Sequence, residues 1–495
     1  MPGSLRPTVY FRADGNARLG LGHVTRCLAL ADMLAPRFAC VLVLREPDAS
    51  IEAQAAAAGC HVLPVQPALT DGPREAAWLG RQLQPTDLLV LDGYPFGPEY
   101  QQVVSQMHFG IVCIDDLITP PVWADAVINQ AGGVAAGAYA DAPGATLLLG
   151  PAYALLRRPF RLPAPPARRT WTGRLFLSMG GADPTNQTAA LLPQLAQAFP
   201  GHTLDVVTGA AYPHGDALAA LAASYPRVRL HHNLAAEPLA ALLRSCDLLV
   251  CPPSGMAYEC AATGGLLLLH PTATNQQGIF DFLVGAGLAW PLTALASLRP
   301  ADLPALTAQL RTRQANLFDG RAAERLTAAF EELRAAAELR LRPATAADGE
   351  LYFAWANDVA VRRNAIQSAP IVWPVHQAWF ARRLADIRDT YLFVAELAGQ
   401  PVGQVRVEFD GAMGLIDYSV AAAHRGLGLG GRLLRRALHQ LRHQRPGPWA
   451  LRAEVRADNL ASVRVFERLR FVRLPPVRHD GQTFEVFELA VNSGF

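Results

Sequence analysis

A chain of 495 residues with 51% hydrophobic and 17% charged residues is built to bury cores, which excludes a disordered protein. At roughly 100–200 residues per domain its length predicts three domains. The formal net charge is +2, every one of the 44 basic side chains is arginine, and no basic block or aromatic ladder argues for nucleic acid.

The small net charge hides an asymmetry. From Glu338 onward 21 arginines face 16 acidic residues, against 23 and 26 before it. The mildly basic last third suits a polyanionic ligand, and equally a solvated surface. All seven cysteines (Cys27, Cys40, Cys60, Cys113, Cys246, Cys251 and Cys260) fall in the first 260 residues, with no C-x-x-C pair. An odd count with no secretory segment predicts reduced thiols and a cytoplasmic protein. Cys40, Cys113, Cys246 and Cys251 lie in or beside apolar runs, which predicts burial. No apolar run approaches the ~18–20 residues that span a membrane.

In chain order, Val9-Tyr10-Phe11-Arg12 reads as a strand. A loop follows through Ala13-Asp14-Gly15-Asn16 and Gly20-Leu21-Gly22-His23, and a helix opens toward Arg26-Cys27-Leu28. His23 then falls at or just before a helix N-terminus, where exposed N–H groups favour anions and disfavour a charged imidazole. That position suits a neutral general base beside a phosphorylated substrate; it equally suits a plain helix cap. Strands at Ala39–Leu44, Asp87–Leu91, Ile111–Ile114 and Ala126–Ile128 alternate with Ala/Leu-rich helical patterns, which predicts a parallel sheet covered on both faces. Asp92-Gly93-Tyr94, Asp115-Asp116-Leu117 and Asn129-Gln130 follow those strands, at the ends that line the ligand crevice of an open α/β sheet.

Arg161–Thr172, with Pro163, Pro165 and Pro166, reads as a linker. A second α/β run then starts at Arg174-Leu-Phe-Leu-Ser178 and continues to about Ala337. Gly180 and Gly181, after its first strand, let backbone N–H groups approach phosphate, with Asn186 and Thr188 placed to begin the next helix. Cys246–Val250 reads as a strand, and Ser254-Gly255-Met256-Ala257-Tyr258-Glu259 opens a helix whose N-terminus can hold a diphosphate. The third segment starts with the strand Leu339–Thr345 and the helical Asp348–Asn357. Later, the strand Leu415–Val420 runs into Arg425-Gly426-Leu427-Gly428-Leu429-Gly430-Gly431, a loop whose successive N–H groups also suit a diphosphate. The strand Arg452–Val455 and the helix Asn459–Phe471 follow.

Two of these strings, Arg12-Ala-Asp-Gly-Asn16 through Gly22-His23 and Arg26-Cys27-Leu28, and Gly180-Gly181-x-Asp183-Pro184-x-Asn186-x-Thr188, resemble the UDP-sugar hydrolases of pseudaminic acid biosynthesis. That family is similar to the GT-B glycosyltransferases. The resemblance implies an α/β protein with two Rossmann-like domains in a GT-B arrangement, 1–160 and 173–337, and a nucleotide-sugar cleft between them. It implies His23 as general base for water attacking the anomeric carbon, with Asp14 as a second catalytic residue. It places UDP on Gly180, Gly181, Asn233, Ser254, Gly255 and Glu259, the last on the ribose hydroxyls. It places the sugar against Asn16, Tyr94, Asp115, Asn275 and Gln276. Where many relatives carry Ser-Ala-Gly-Gly-Ser/Thr, this chain has Pro252-Pro253-Ser254-Gly255-Met256, which removes side-chain hydroxyls from the phosphate site. The chain shows no compact metal-ligand cluster, and no metal is expected.

Residues 338–495 resemble the GNAT-fold N-acetyltransferases. Their region from Trp355 to Phe380 is similar to the acceptor-binding region of the 4-N-acetyltransferase of the same pathway. This implies acetyl-CoA as co-substrate, held by Val420, Arg425, Gly426, Gly428, Gly430, Gly431, Asn459 and Ser462, with Asn364, Trp373, His376 and Trp379 toward the acceptor. Many members carry a tyrosine seven residues after the asparagine, where this chain has Phe466. Glu408, Asp417 and Glu454 are candidates to deprotonate the amine, and spacing selects none of them. Together the halves imply 4-N-acetylation of a UDP-linked 4-amino-4,6-dideoxy sugar followed by release of UDP. The partners are then small molecules, a UDP-sugar and acetyl-CoA, with neither nucleic acid nor membrane, and the oligomeric state is left open. Two rival readings stand beside it: a GT-B glycosyltransferase fused to an acetyltransferase, and a protein N-acetyltransferase with a UDP-sugar-binding sensor.

Overall fold

The computed structural model describes residues 6–15, 21–107, 109–118, 123–140, 142, 144–162 and 171–491, with Asn275 described by its backbone alone. Seven strands form the first sheet: β1 (Thr8–Ala13), β2 (Ala39–Leu44), β3 (Cys60–Pro64), β4 (Leu88–Asp92), β5 (Ile111–Ile114), β6 (Ala126–Asn129) and β7 (Thr146–Leu149). All pair in parallel, in the order β3-β2-β1-β4-β5-β6-β7. Parallel strands covered by helices on both faces read as unbroken apolar runs, and Leu88–Asp92 is buried at all five positions.

The second sheet repeats the plan. Its strands are β8 (Arg174–Leu177), β9 (Thr203–Thr208), β10 (Val228–His232), β11 (Leu248–Cys251), β12 (Leu266–Leu269) and β13 (Trp290–Pro291), all parallel in the order β10-β9-β8-β11-β12-β13. Both sheets thus contain the doubly wound strand order 3-2-1-4-5-6, extended by a seventh strand in the first, with a topological switch between their first and fourth strands. β11 starts two residues after the expected Cys246, and just before it the Asp247 carboxylate accepts from the Thr172 and Gly173 amides and the Thr172 hydroxyl.

The two units meet at the C-terminal ends of their strands. Past β6, the Gly132 amide donates to the Tyr258 hydroxyl at 3.3 Å, and a Cβ on Gly132 would lie 2.1 Å from the Phe282 ring. The helix Ala322–Ala337, the end of the segment expected as the second unit, crosses back to the first. Its Leu326, Phe330 and Leu333 are fully buried with Val9, Leu34 and Phe38. Each such side chain contributes roughly 1.5–3 kcal/mol when fully buried. The boundary at residue 337 is therefore one of sequence; in space that helix belongs to the first core.

The third sheet comprises β14 (Leu339–Pro343), β15 (Thr390–Leu397), β16 (Gln400–Asp410), β17 (Met413–Val420), β18 (Trp449–Arg456), β19 (Val472–His479) and β20 (Gln482–Val491). Their order is β14-β15-β16-β17-β18-β20-β19, antiparallel except for β17–β18. The parallel pair holds register only at Met413–Ala450, Gly414–Leu451 and Leu415–Arg452, and then the strands part. One face of this sheet packs on the amphipathic helix Leu429–Gln444 through Leu433, Leu434, Ala437 and Leu441. The same helix docks on the first unit: the Arg436 guanidinium lies 4.5 Å from the Phe109 ring centre, that of Arg442 4.7 Å from Trp123, and His443 stacks on Trp123 at 5.1 Å. Arg470 adds hydrogen bonds to the carbonyls of Ala136, Tyr139 and Ala142. All seven cysteines are buried free thiols. No helix among the described residues is long and apolar enough to cross a membrane.

Candidate functional sites

Ligands of doubly wound sheets bind outside the strand C-termini at the topological switch, and His23 sits at that point. It is the second residue of the helix Gly22–Leu34, which follows β1 and has no side-chain cap. Its Nδ1 lies 2.8 Å from Oδ1 of Asp92, the fully buried last residue of β4. Arg26, one turn along, donates to both Asp92 oxygens at 2.6 Å and to Asp116 at 3.0 Å. Arg26 Nη2 also lies 3.0 Å from His23 Nδ1, but the shorter contact is to the Asp92 carboxylate, and an Nδ1–H donated there leaves Nε2 bare as a proton acceptor. The exposed Tyr94 packs edge-on against His23 at 5.2 Å.

The other residues expected around His23 are placed differently. Asp14 does not join it: its carboxylate takes both Arg12 NH groups, at 2.7 and 2.8 Å, and the Arg45 amide at 3.0 Å. Arg12 in turn is buried on Glu75, so Asp14 belongs to an ionic network that anchors the ends of β1 and β2. Asp115 folds back to accept from the amides of Leu117 and Ile118. Asn16 lies outside the described residues. Asp92 was visible in sequence only as a polar strand end; its pairing with His23 needs the parallel register of β1 and β4.

At the switch of the second sheet, Gly180 follows β8 with φ +95°, and a Cβ on it or on Gly181 would meet nothing within 4 Å. Gly209, after β9, comes so close that its Cβ would lie 2.5 Å from Gly181 Cα, a constraint sequence reading did not find. Asn186 stands just before the helix Gln187–Ala198, which begins where expected, and the side chain that caps it is that of Asp183, accepting from the Gln187 and Thr188 amides. Asn186, in the left-handed region, accepts from Tyr212.

After β11, Ser254 caps the helix Gly255–Thr263 by accepting from the Met256 amide at 3.3 Å. Glu259, expected on ribose, is buried and held by Nε and Nη2 of Arg157 at 2.6 and 2.7 Å, from a segment whose Leu156 and Phe160 pack into the core of the second unit. Asn233 follows β10 in a left-handed conformation, its amide on the Thr208 carbonyl. Gln276 accepts from the Thr272 amide, and the Asn275 side chain lies outside the described residues. Among the described residues no cluster of histidine, cysteine, aspartate or glutamate is arranged to hold a metal.

A cleft of about 1650 Å³ opens where β17 and β18 part. Val420, Arg425, Gly426, Gly428, Gly430, Gly431, Asn459 and Ser462, scattered over three elements, all line it. Gly426 (φ +81°) and Gly428 (φ +71°) turn the chain so that the helix Leu429–Gln444 starts without a side-chain cap, its first amides free for an anion. Arg425 bonds the Val420 carbonyl and Asp358, tying this loop to the helix Val359–Asn364. Asn459 caps the helix Leu460–Arg468 through the Ser462 amide, and Ser462 Oγ meets the Tyr418 hydroxyl at 3.1 Å.

At the other end stand Asn364, Trp379, Arg362, Arg382 and Arg406, with the Arg406 guanidinium 5.3 Å from the Trp379 ring centre. His376 reaches this wall but is 2% exposed; its Nε2 donates to the Gly349 carbonyl, and burial lowers its pKa. Trp373 packs on Phe353 and His376 behind the wall. These two residues shape the acceptor end from the core.

Comparisons with known proteins bear on this last site. Residues 338–472 match the family described as acetyltransferase (GNAT) domain. The chain therefore carries a C-terminal GNAT acetyltransferase domain, preceded by two parallel α/β units. Over 500 aligned residues it is 21% identical to an uncharacterized protein of Methanocaldococcus jannaschii, covering 96% of this chain and 98% of the relative. Similar solved structures include spermidine N-acetyltransferase from Vibrio cholerae in complex with CoA and spermine. It is 16% identical, with a TM-score of 0.28, over 31% of this chain and 95% of that one. Another is yncA from Salmonella typhimurium with its cofactor acetyl-CoA, at 22% identity and TM-score 0.28, over 31% and 95%. A third is ribosomal-protein-alanine N-acetyltransferase from Brucella melitensis, at 22% identity and TM-score 0.27, over 30% and 98%.

Proposed function

We propose that the protein performs two consecutive reactions on one nucleotide sugar. In the C-terminal cleft, acetyl-CoA acetylates the 4-amino group of UDP-4-amino-4,6-dideoxy-N-acetyl-β-L-altrosamine. In the cleft between the two α/β units, in a GT-B arrangement, water then releases UDP from the diacetamido product. The observation that carries the hydrolase half is the pairing of His23 with buried Asp92 at the switch of one sheet. The glycine loop at Gly180 and Gly181, where a Cβ would meet nothing, and the helix start at Gly255 occupy the same position in the other sheet.

His23 Nε2 takes a proton from the attacking water as its oxygen bonds to the anomeric carbon. The bond from that carbon to the diphosphate breaks, and the backbone donors at Gly255 meet the negative charge of the departing UDP. In the acetyltransferase cleft, Arg362, Arg382 and Arg406 favour an acceptor amine that carries its own negative charge, as a nucleotide diphosphate does.

The test incubates the purified protein with that UDP-amino sugar, with and without acetyl-CoA, and follows free thiol, UDP and sugar mass together. Release of both thiol and UDP, with UDP appearing only after acetylation, is the expected result. Thiol without UDP would overturn the hydrolase half and favour a glycosyltransferase that awaits an acceptor. Neither product would overturn the substrate.

A further inference from the structure

The acetyltransferase cleft carries a buried cation that its glycine loop does not account for. On the helix Leu429–Gln444, Gly431 and Arg435 share a face one turn apart, and both line the cleft. A Cβ on Gly431 would meet nothing within 4 Å, so the surface between the helix start and Arg435 is open at that position. Arg435 is 8% exposed, and its Nε has no hydrogen-bond partner among the described residues. The carboxylate facing it is that of Glu332, whose Oε1 lies 3.8 Å from Nη2, beyond hydrogen-bond reach, on a side chain that is itself largely exposed. Burial pulls the arginine's pKa below its ordinary value, Arg432 adds to this, and Glu332 and Asp125 offset it only in part. Asp125 is already engaged by the Gly110 and Ile111 amides and by His439. A guanidinium buried to this degree without an anion is costly. Of the other arginines in the lining, Arg425 is held by the Val420 carbonyl and Asp358, and Arg468 is exposed to water. Glu332 also lines the cleft and belongs to the helix Ala322–Ala337, so one wall of the cofactor site comes from the element locked into the first core.

We propose that Arg435 is a second anion site of this cleft, taking the 3′-phosphate of coenzyme A while the glycine loop holds the diphosphate, and that Glu332 competes for the same guanidinium. The inference rests on acetyl-CoA as the co-substrate of the domain, and not on which amine is acetylated. Coenzyme A carries its negative charge in two separate places, the diphosphate and the phosphate on the ribose. The first amides of the helix and its dipole answer one of them only, because their field falls off within a turn. Arg435, one turn beyond Gly431, offers the planar fork of donors that pairs with phosphate oxygens. With the phosphate seated, the buried guanidinium gains a full anionic partner, and the Glu332 carboxylate turns to water, as its exposure allows.

Calorimetry on the full chain measures the affinities for acetyl-CoA and for 3′-dephospho-acetyl-CoA in wild type, R435M and E332Q. No acceptor amine is present, so the outcome is independent of the sugar assignment. Wild type is expected to bind acetyl-CoA about tenfold or more tighter than the dephospho form. R435M should weaken acetyl-CoA to about the level of the dephospho form, and its retained binding of the latter shows that the variant is folded. E332Q changes an exposed side chain, removes the competitor, and should tighten acetyl-CoA severalfold with no gain for the dephospho form. Wild type binding the two ligands within twofold, or R435M keeping the full preference, would overturn the proposal. R435M weakening both ligands alike would assign Arg435 to the diphosphate and overturn it as well. Should R435M not fold, the wild-type ratio and E332Q decide, and an unchanged preference in E332Q counts against the site.

Discussion

Asp92 accepts from His23 and from Arg26 at once, although the histidine and the carboxylate that orients it stand 69 positions apart in sequence. A buried carboxylate shared in this way fixes the imidazole tautomer. Replacing Asp92 by Asn frees the ring to turn and lets Nδ1 become the bare nitrogen. UDP release by D92N is expected to fall about a hundredfold or more, as tautomer-fixing carboxylates do elsewhere, with thiol release from acetyl-CoA within twofold of wild type. Parallel UDP and thiol assays on one preparation check this.

The Arg157–Glu259 pair ties the end of the first sequence segment, whose Leu156 and Phe160 pack into the second unit's core, to the helix Gly255–Thr263. R157L leaves a buried carboxylate without its partner, for which a cost of about 2 kcal/mol is expected after allowance for the partial exposure of the arginine. Urea unfolding should show a lowered midpoint, and saturating UDP should recover part of it if ribose hydroxyls take over the carboxylate.

Gly430 and Gly431 are adjacent in sequence and unequal in space. A Cβ at Gly430 would lie 2.9 Å from the Tyr418 ring, whereas one at Gly431 would meet nothing within 4 Å. G430A is expected to lower thermal stability by about 1–3 kcal/mol through overpacking, while G431A leaves it unchanged. Both should raise KM for acetyl-CoA, G431A purely because a methyl group stands where the cofactor approaches. Calorimetry with acetyl-CoA titration separates the two effects.

The docked face of the helix Leu429–Gln444 carries a pH dependence. Burial lowers the His443 pKa to about 4, His439 and Arg442 push the same way, and Asp125 and the Ser105 carbonyl oppose. An unfolded chain protonates histidine near pH 6.5, so it binds more protons between that pH and about 4. Stability from this residue is therefore full above pH 6.5 and falls as pH drops toward 4, by on the order of 2 kcal/mol. Asp125 acts lower: burial raises its pKa, but His439 and the Ile111 and Gly110 amides hold it at about 2, so its contribution is lost only below the ordinary carboxylate range. Urea midpoints at pH 7 and 4.5 should differ in wild type and converge in H443F, which keeps a ring on Trp123.

Motifs carried by neighbouring residues were legible from sequence. The strands Ala39–Leu44 and Ile111–Ile114 have the expected bounds, and the loop from Arg425 to Gly431 lines the cleft, because strand runs and glycine turns are written locally. The edge strands Cys60–Pro64 and Thr146–Leu149 were missed: they are short, and several of their positions are only partly buried, so no unbroken apolar run marks them. What sequence could not show is which charges meet. Asp14 spends its carboxylate on Arg12, Glu259 on Arg157 and Glu454 on His479, and each pairing depends on which strand ends and loops the fold brings together. The crossing back of Ala322–Ala337 was hidden for the same reason, since an amphipathic helix does not name the core its apolar face will enter.

That helix ends at Ala337, and β14 begins at Leu339. A single residue joins an element locked into the first core to the edge of the acetyltransferase sheet, with Arg470 and the Trp123 stack fastening the far side. A tether of that length gives no slack for swivelling, so the acetyltransferase should tumble with the first unit as one particle. Fluorescence anisotropy of a probe on either should decay with one shared slow correlation time, and a product leaving one cleft meets the other at a distance set by the fold.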